Sequence, residues 1–349
     1  MILFIFLLFL LLSISCAEQP HCYIPVTPLN LSESKVVSYE EIKTDDYLMS
    51  FPTSMFICDS NLIIKDGKGH KYLFHVLNKN GYIVDEFLTL GNGREEYVYS
   101  NFNAQMNKEG VLEMYDSARK RIISFHKIEG KFKFKYSYNV GTDEEYVTEA
   151  VNVGNYFLGQ GMNGRFVKNR YMVFDSLDSV PKWIGEYPEI SPQLLENTEQ
   201  DLKTILHHTP IFRLSPDKSK AVFASYKGAL IQFYNLSLLP DSINYKSIQL
   251  EIPINKSQIS PNHEGWIYGF EDAFTTDSSV YLIYNGYTSL ENPGLGEYVL
   301  QYDWNGNLLE QYKFDIGMRS LAVDEKNGII YFVGYVDDEM KLFFASIGS

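Results

Sequence analysis

Two short polar clusters carry the residue types most often used for acid–base chemistry and metal binding. His207 and His208 are adjacent, and His263 is followed directly by Glu264. A neutral imidazole can ligate zinc or accept a proton, and a carboxylate beside it can share the metal or act as its acid–base partner. Adjacent residues in an extended segment point to opposite sides, so only one of His207 and His208 can face a given site. The alternative is that all four are surface or loop-packing residues.

A pair of acidic residues, Glu271 and Asp272, lies in an otherwise apolar segment. Carboxylate and amide oxygens are the ligands that Ca²⁺ prefers, so one of the pair could help to hold calcium. No set of four such ligands at matching positions is evident. The sequence therefore predicts no cofactor, with calcium as the one alternative.

Three arginines and several aromatic residues could contact a ligand. The guanidinium groups of Arg94, Arg165 and Arg319 could bind a carboxylate or another anion through paired hydrogen bonds. Their simpler use is salt bridges with nearby acidic residues. Several aromatic residues in the predicted loops could stack on sugar rings. Because aromatic residues make up 15% of the chain, some would lie in these loops by chance. These are Tyr97, Tyr146 and Trp266.

The elements that must position these residues are repeated β-strands. One apolar strand type recurs six times, and each copy follows another apolar strand, as in strands two and three of a four-stranded antiparallel blade. The copies are Tyr72–Leu77, Arg121–His126, Arg170–Asp175, Ala229–Tyr234, Tyr298–Asp303 and Met340–Ala345. The sequence thus predicts an all-β fold, a six-bladed β-propeller.

The sixth blade lacks a fourth strand at the C-terminal end of the chain. The segment Lys35 to Ile42 reads as a strand with no blade of its own. Placing it in the sixth blade closes the ring and leaves no free sheet edge between the last blade and the first. We therefore predict a single propeller domain over residues 35–349, with residues 17–34 as a tether.

In a propeller, the links from strand four to the next strand one, and from strand two to strand three, share one face. The predicted links on this face are the long ones, and long loops on a rigid scaffold are where binding residues concentrate. The longest, Pro188 to Pro210, has the apolar spacing of a short helix, predicted to pack on the ring as a lid or to dock a partner protein. The candidate ligand-binding arginines and aromatics fall on this face.

The N-terminus carries the features of an export signal. Ile2 to Leu12 is an uninterrupted apolar run, long enough for a signal-peptide core and too short to span a bilayer. It leads through small residues to Cys16, as in the lipobox of bacterial lipoproteins, where the cysteine is acylated. Residues 1–16 are therefore predicted to be a lipoprotein signal, with Cys16 lipidated. Cys22 could pair with Cys58, although a buried free thiol at Cys58 is the simpler account.

Composition restricts the partners. A formal net charge of −14 and the lack of a clustered basic surface exclude a nucleic-acid binder. Apolar residues make up 45% of the chain, which is enough for a folded core.

Three motifs resemble the TolB-like six-bladed propeller lipoproteins of Gram-negative bacteria. Tyr302 to Leu308, continued by Leu321 to Asp324, resembles the final blades of that family, and Leu90 to Tyr97 resembles its glycine-rich segment before blade two, with Glu95 in place of the usual proline. Ser215 to Lys220 resembles a turn shared by many propellers. The resemblance covers about residues 35–349 and implies the fold and a membrane-anchored location. It transfers no catalytic residues.

These observations favour an exported binding module, held at the outer membrane by its lipid and monomeric, that presents its loop-rich face to a protein, peptide or glycan. The alternative is a divalent-cation-dependent hydrolase or lyase, similar to the six-bladed lactonases, with its site at the mouth of the channel.

Overall fold

The computed structural model describes residues 26–44, 47–67, 71–98, 100–140, 146–162, 169–175, 182–186, 210–226, 228–250, 268–287 and 295–348. In these ranges the secondary structure consists of short β-strands and one turn of 3-10 helix. None of the helical structure found there is long and apolar enough to cross a membrane.

The first elements form a segment that precedes the blades. Strand β1 (Val26–Thr27) is followed by the 3-10 helix (Leu31–Glu33), β2 (Lys35–Val36) and β3 (Glu40–Ile42). The side-chain amide of Asn30 donates to Glu33, and its carbonyl oxygen accepts the Ser32 backbone N–H, which caps the helical turn.

Antiparallel four-stranded blades follow in chain order. Blade 1 contains β4 (Pro52–Cys58), β5 (Asn61–Asp66), β6 (Tyr72–Leu77) and β7 (Ile83–Leu90), with β8 (Glu96–Tyr97) added parallel to β7. Blade 2 contains β9 (Ser100–Met106), β10 (Leu112–Asp116), β11 (Arg121–Ile128) and β12 (Lys131–Asn139). Blade 3 contains β13 (Tyr146–Val153), β14 (Tyr156–Met162), β15 (Asn169–Asp175) and β16 (Lys182–Glu186).

Blade 4 contains β17 (Pro210–Leu214), β18 (Lys220–Ser225), β19 (Leu230–Asn235) and β20 (Asn244–Leu250). Blades 5 and 6 share one sheet, built from β21 (Phe270–Thr275), β22 (Ser279–Tyr284), β23 (Gly296–Asp303), β24 (Leu308–Asp324), β25 (Ile329–Val336) and β26 (Glu339–Ser346). The first part of β24 pairs with β23 and its last part with β25, so β24 is both the fourth strand of blade 5 and the first strand of blade 6.

The N-terminal segment closes the ring. Strand β3 pairs antiparallel with β26, with Ile42 opposite Leu342, and so supplies the fourth strand of blade 6. The prediction that the leading segment completes the sixth blade is confirmed. The predicted strand Lys35 to Ile42 is nevertheless divided, because β2 pairs parallel with β24 of blade 5. Strand β1, in the predicted tether, pairs parallel with β20 of blade 4.

Six hydrophobic clusters fill the six interfaces between neighbouring blades. The apolar side chains of each blade alternate between its two sides, so that every blade contributes to two clusters. The cluster between blades 6 and 1 joins Ile42, Val333 and Leu342 to Met55 and Ile64. This last interface makes the ring continuous.

Two faces of the ring differ, and we name them for their connections. The turn face holds the links between strands one and two and between strands three and four, and the loop-rich face holds the others. Two loops predicted on the loop-rich face, Gly141 to Glu149 and Gly161 to Asn169, are shorter than expected. Strand β13 begins at Tyr146 and β14 extends to Met162, because both strands pair beyond the ends that their apolar patterns indicated. The predicted lid over residues 188–209 lies outside the described residues.

Candidate functional site

The innermost strands bring polar side chains from all around the ring to its axis. Arg213, in the middle of β17, is buried and donates from every N–H of its guanidinium group. Its Nε donates to the Ala273 carbonyl at 3.0 Å, and Nη1 donates to Asn103 Oδ1 at 2.5 Å and to the Phe212 carbonyl at 3.2 Å.

The remaining two N–H groups of Arg213 reach two further blades. Nη2 donates to Ser54 Oγ in blade 1 at 3.0 Å and to Asp272 Oδ1 in blade 5 at 2.7 Å. The other Asp272 oxygen accepts the Leu321 backbone N–H from blade 6 at 3.3 Å, and Asn103 of blade 2 donates to Glu149 of blade 3 at 3.0 Å. This axial network therefore includes a residue from each of the six blades.

Lys65 is buried beside the axial network, close to Glu149 of that network. Burial lowers the pKa of Lys65 to about 7, against the opposing effect of Glu149. Burial likewise raises the pKa of Glu149 to about 7, although Asn103 and Lys65 favour its ionised form. Together with Arg213 and Asp272, these groups carry two positive and two negative formal charges, so a charged axis is balanced within the protein.

The channel is closed by direct contact between blades 2 and 4. Gln105 of β9 donates to the Phe212 carbonyl at 2.7 Å and accepts the Leu214 N–H at 3.0 Å, which imitates strand pairing between β9 and β17. In the turns that follow these strands, the Lys108 N–H donates to the Pro216 carbonyl at 3.1 Å. Polar groups at the axis thus hold blades 2 and 4 together.

Sequence reasoning missed Arg213, Asn103, Glu149 and Lys65. A signal was present, because Arg213 interrupts the apolar run Ile211 to Leu214 of a predicted innermost strand. A charged residue in such a strand has to face either the axis or a hydrophobic interface, and only the axis offers polar partners. The partners themselves lie too far away in sequence to be identified.

Glu271 and Asp272 lie on the innermost strand β21, as predicted. The carboxylate of each forms an ion pair with an arginine. Arg319 donates to Glu271 Oε2 at 3.1 Å, and Asn285 donates to Oε1 at 3.0 Å. Burial raises the pKa of Glu271 despite Arg319, and raises that of Asp272 despite Arg213. Within the described part of the chain, no group of three or more metal-ligating side chains forms, so the calcium role stays a prediction without geometric support.

The three candidate arginines have different surroundings. Arg319 is committed to Glu271, and its guanidinium lies over the Phe51 ring at 4.5 Å. Arg94 is exposed on the loop-rich face, and its guanidinium lies 5.1 Å from the centre of the Phe134 ring. Arg165 lies outside the described residues. Of the two that the structure describes, Arg94 is the one that is exposed to solvent.

Arg94 belongs to a glycine-rich loop, residues 91–97, that two other arginines hold in place. Arg119 donates to the Gly93 carbonyl at 2.9 Å, to the Gly91 carbonyl at 3.2 Å and to Asn92 Oδ1 at 3.0 Å. Arg121 donates to the Arg94 carbonyl at 3.0 Å and also to the Glu96 carbonyl. Arg119 lies in the link between β10 and β11, and Arg121 is the first residue of β11. This link and the glycine-rich loop therefore share the loop-rich face, as predicted.

The aromatic candidates receive less support. Tyr97 is half-buried and packs against the hydrophobic cluster between blades 1 and 2, and burial raises its pKa. Tyr146 begins β13, but its side chain lies outside the described residues, as does Trp266.

The remaining candidate residues lie outside the described part of the chain. They are His207, His208, His263, Glu264 and the lipidation residue Cys16. The roles predicted for them stay predictions. Cys58 is described, and its thiol is free and buried in blade 1.

The fold and its axis define the class of protein, a six-bladed β-propeller with a closed channel. A model of the TolB-like 6-blade propeller-like family matches residues 32–326, and the chain belongs to this family. The resemblance found in its motifs is therefore confirmed.

Several solved structures are similar to this chain at low sequence identity. The "Putative exported protein" of Bacteroides fragilis is 14% identical with a TM-score of 0.56, over 94% of this chain and 99% of that chain. A DUF4221 family member from Bacteroides vulgatus is 13% identical with a TM-score of 0.49, over 89% and 97% of the two chains. Virginiamycin B lyase from Staphylococcus aureus is 13% identical with a TM-score of 0.42, over 89% and 88%. A search of curated proteins gives no match.

Proposed function

We propose that this protein is an exported, membrane-anchored binding module whose loop-rich face contacts a protein, peptide or glycan. The observation that carries the proposal is the clamped loop over residues 91–97. Its backbone carbonyls are held by Arg119 and Arg121 while Arg94 is exposed. A loop that is already ordered loses little conformational entropy when a partner binds.

The competing function is a divalent-cation-dependent hydrolase or lyase with its site at the channel mouth. Such an enzyme needs carboxylates that can turn toward a metal. Glu271 and Asp272 instead neutralise Arg319 and Arg213, and turning either carboxylate toward a metal would break its ion pair. Binding is therefore the better-supported function.

The proposed location follows from the N-terminal sequence and fits the B. fragilis neighbour, whose name describes an exported protein. Acylation of Cys16 would join the propeller to a membrane through the residues that precede β1. Radiolabelled palmitate should appear on the wild-type protein and disappear from Cys16→Ala. Unchanged labelling in that variant would refute the anchor.

Binding is tested on peptide and glycan arrays with purified wild-type protein, Arg94→Ala and Lys79→Ala. Lys79 is also an exposed cation, in the turn between β6 and β7 on the turn face. We expect array ligands of the wild type to lose at least tenfold in affinity with Arg94→Ala and to be retained by Lys79→Ala. Equal binding by all three proteins would exclude Arg94 from the binding surface.

The enzymatic alternative is tested on the same preparations. The proposal would be overturned if metal analysis found one cation per chain and the protein turned over a lactone or glycoside. That turnover would also have to be abolished by Glu271→Gln. We expect neither stoichiometric metal nor turnover.

A further inference from the structure

The leading segment of the chain runs along the outside of the ring and contacts three blades in turn. Strand β1 pairs with blade 4, β2 with blade 5 and β3 with blade 6. Apolar side chains of this segment pack at three successive interfaces between blades. They are Leu29 and Leu31 at blades 4 and 5, Val37 and Tyr39 at blades 5 and 6, and Ile42 at blades 6 and 1.

The part of the segment that follows Val36 is firmly held. The Tyr39 ring lies 5.3 Å from the Phe343 ring and 5.6 Å from the Phe332 ring, edge to face in both pairs. Such pairs add to the stabilisation that apolar burial provides. Ile42 is buried, and β3 makes three cross-strand pairs with β26. Opening this part would therefore break the closure of the ring.

The part from Val26 to Val36, which we name the strap, has fewer contacts with the ring. Strands β1 and β2 pair through two residues each, and none of residues 27–36 is buried. The ion pair of Lys35 with Glu310, 2.8 Å apart, has both side chains exposed, so water and salt screen it. The partly buried Leu29 and Leu31 therefore make the main attachment of the strap.

The strap can leave the ring without losing its own hydrogen bonds. Asn30 donates to Glu33 at 2.7 Å and accepts the Ser32 N–H at 3.3 Å, and all three residues belong to the strap. A segment with few buried apolar contacts opens at a lower free energy than the whole molecule does. Release would expose the two leucines to water, so the attached form predominates.

We propose that the strap is a releasable part of the membrane tether, which leaves blades 4 and 5 while Tyr39 and β3 stay in place and the ring remains closed. Release moves the fixed end of the tether from Val26 to Val37. The eleven residues of the strap then add at most about 36–40 Å to the distance that the propeller can move from the membrane. This gain in reach rests on the lipid anchor proposed above, whereas release itself does not.

Release is tested by electron-spin distance measurements between two nitroxide labels. One label is placed on Ser32→Cys in the strap and the other on Lys79→Cys in blade 1, both at exposed positions. The protein is the processed chain with Cys16→Ser and Cys22→Ser, which needs no detergent, and Cys58 is buried and stays unlabelled. We expect a narrow distance from the attached strap and a broad second component from the released one.

Replacing a leucine of the strap should shift this equilibrium. Leu31→Ser should increase the share of the broad component at least about threefold, whereas Val36→Ser should not, because Val36 is already 81% exposed. Leu29→Ser is an independent replacement with the same expected effect. With the first label moved to Glu41→Cys on β3, every variant should give one narrow distance.

Three results of these measurements would overturn release. The first is the absence of a broad component from the wild type and from both leucine variants. The second is an equal share of it in Leu31→Ser and Val36→Ser. The third is a broad component for the label at Glu41, which would show that the closing strand leaves together with the strap.

The gain in reach is tested by neutron reflectometry of the lipidated protein on a supported bilayer. Leu31→Ser should extend the protein layer away from the bilayer, and Val36→Ser should leave the layer as in the wild type. Equal layers for the two variants would refute the role of the strap in the tether. Failure of the anchor itself is seen separately, as palmitate labelling that Cys16→Ala does not remove, and the spin-label result does not depend on it.

Discussion

Arg213 of blade 4 and Asp272 of blade 5 form a buried ion pair at the axis, with Nη2 and Oδ1 2.7 Å apart and both side chains almost fully buried. The same guanidinium also binds blade 1 and blade 2. One side chain therefore takes the place that water or a ligand would occupy in an open channel. Its contacts join blades across the axis, in addition to the β3–β26 pairing that completes the ring.

Replacing Arg213 tests this role. Arg213→Met should lower the free energy of unfolding by about 3–5 kcal/mol, because it leaves the Asp272 carboxylate buried without its partner. Urea unfolding at pH 7 measures the loss. Lys79→Met, which removes an exposed cation, should change stability by less than about 0.5 kcal/mol. If the two variants are equally stable, the axial network does not hold the blades together.

The closing strand is tested at Ile42, which is buried between blades 6 and 1. Ile42→Ala should lower the free energy of unfolding by about 2–4 kcal/mol, because apolar burial is lost and a cavity remains. Val36→Ala, in the same segment but 81% exposed, should be nearly neutral. Protease cleavage within residues 30–44 should become faster in the first variant. Similar stability and cleavage of both variants would contradict closure by β3.

Gly81 and Gly130 form a matched pair of turn glycines. Their φ angles are +84° and +83°, but a Cβ at Gly81 would lie 2.0 Å from the Lys43 carbonyl oxygen, whereas at Gly130 it would meet nothing within 4 Å. Gly130→Ala should therefore lower the free energy of unfolding only by the penalty for placing a residue with a Cβ in the left-handed conformation, about 1–2 kcal/mol. Gly81→Ala should cost at least about 1–3 kcal/mol more, because the chain leaving β3 must move. Thermal unfolding compares them, and equal losses would refute the close approach.

Glu325 links blades 6 and 5 and should make stability depend on pH. Its carboxylate accepts from Ser278 Oγ at 2.7 Å and from the Tyr281 hydroxyl at 3.1 Å. Partial burial acts to raise the pKa of Glu325, but these and neighbouring hydroxyl hydrogen bonds outweigh it and lower the pKa below its usual value. A group whose pKa is lower in the folded state stabilises that state at pH values above its pKa in the unfolded chain, about 4.3. The stabilisation is lost as the pH falls through the pKa of the folded state.

The matching variant is Glu325→Gln, which should lower the free energy of unfolding by at most about 1 kcal/mol at pH 7, because Glu325 is exposed and solvent screens its interactions. The difference from the wild type should stay constant down to about pH 5 and shrink below the unfolded pKa. Glu339→Gln, which alters another exposed carboxylate, on β26, is the control. A difference that is as large at pH 3 as at pH 7 would show that the ionised carboxylate is not the cause.

The local pattern of the chain was sufficient for the strands and for their number. Apolar alternation and glycine-bearing turns act over a few residues, so the repeats beginning at Tyr72 and Arg121 could be read directly. The missing strand of blade 6 could also be inferred, because an open sheet edge is costly and only one unassigned strand was available. The boundaries at Tyr146 and Met162 were less accurate, since pairing extended these strands beyond their apolar residues.

The candidate site was less predictable. The exposed position of Arg94 and the placement of Glu271 on an innermost strand followed from the blade count, but the partner of Glu271 did not. Arg319 lies in blade 6 and Glu271 in blade 5, and the angle between these blades determines that the two side chains meet.

The sequence by itself determined the six blades, the closure by the leading segment and the face on which the long links lie, because each depends on short-range periodicity or on chain order. Only the tertiary structure decided which groups meet at the axis. Arg213 and Ser54 are 159 residues apart, and they meet because the ring places their blades opposite each other.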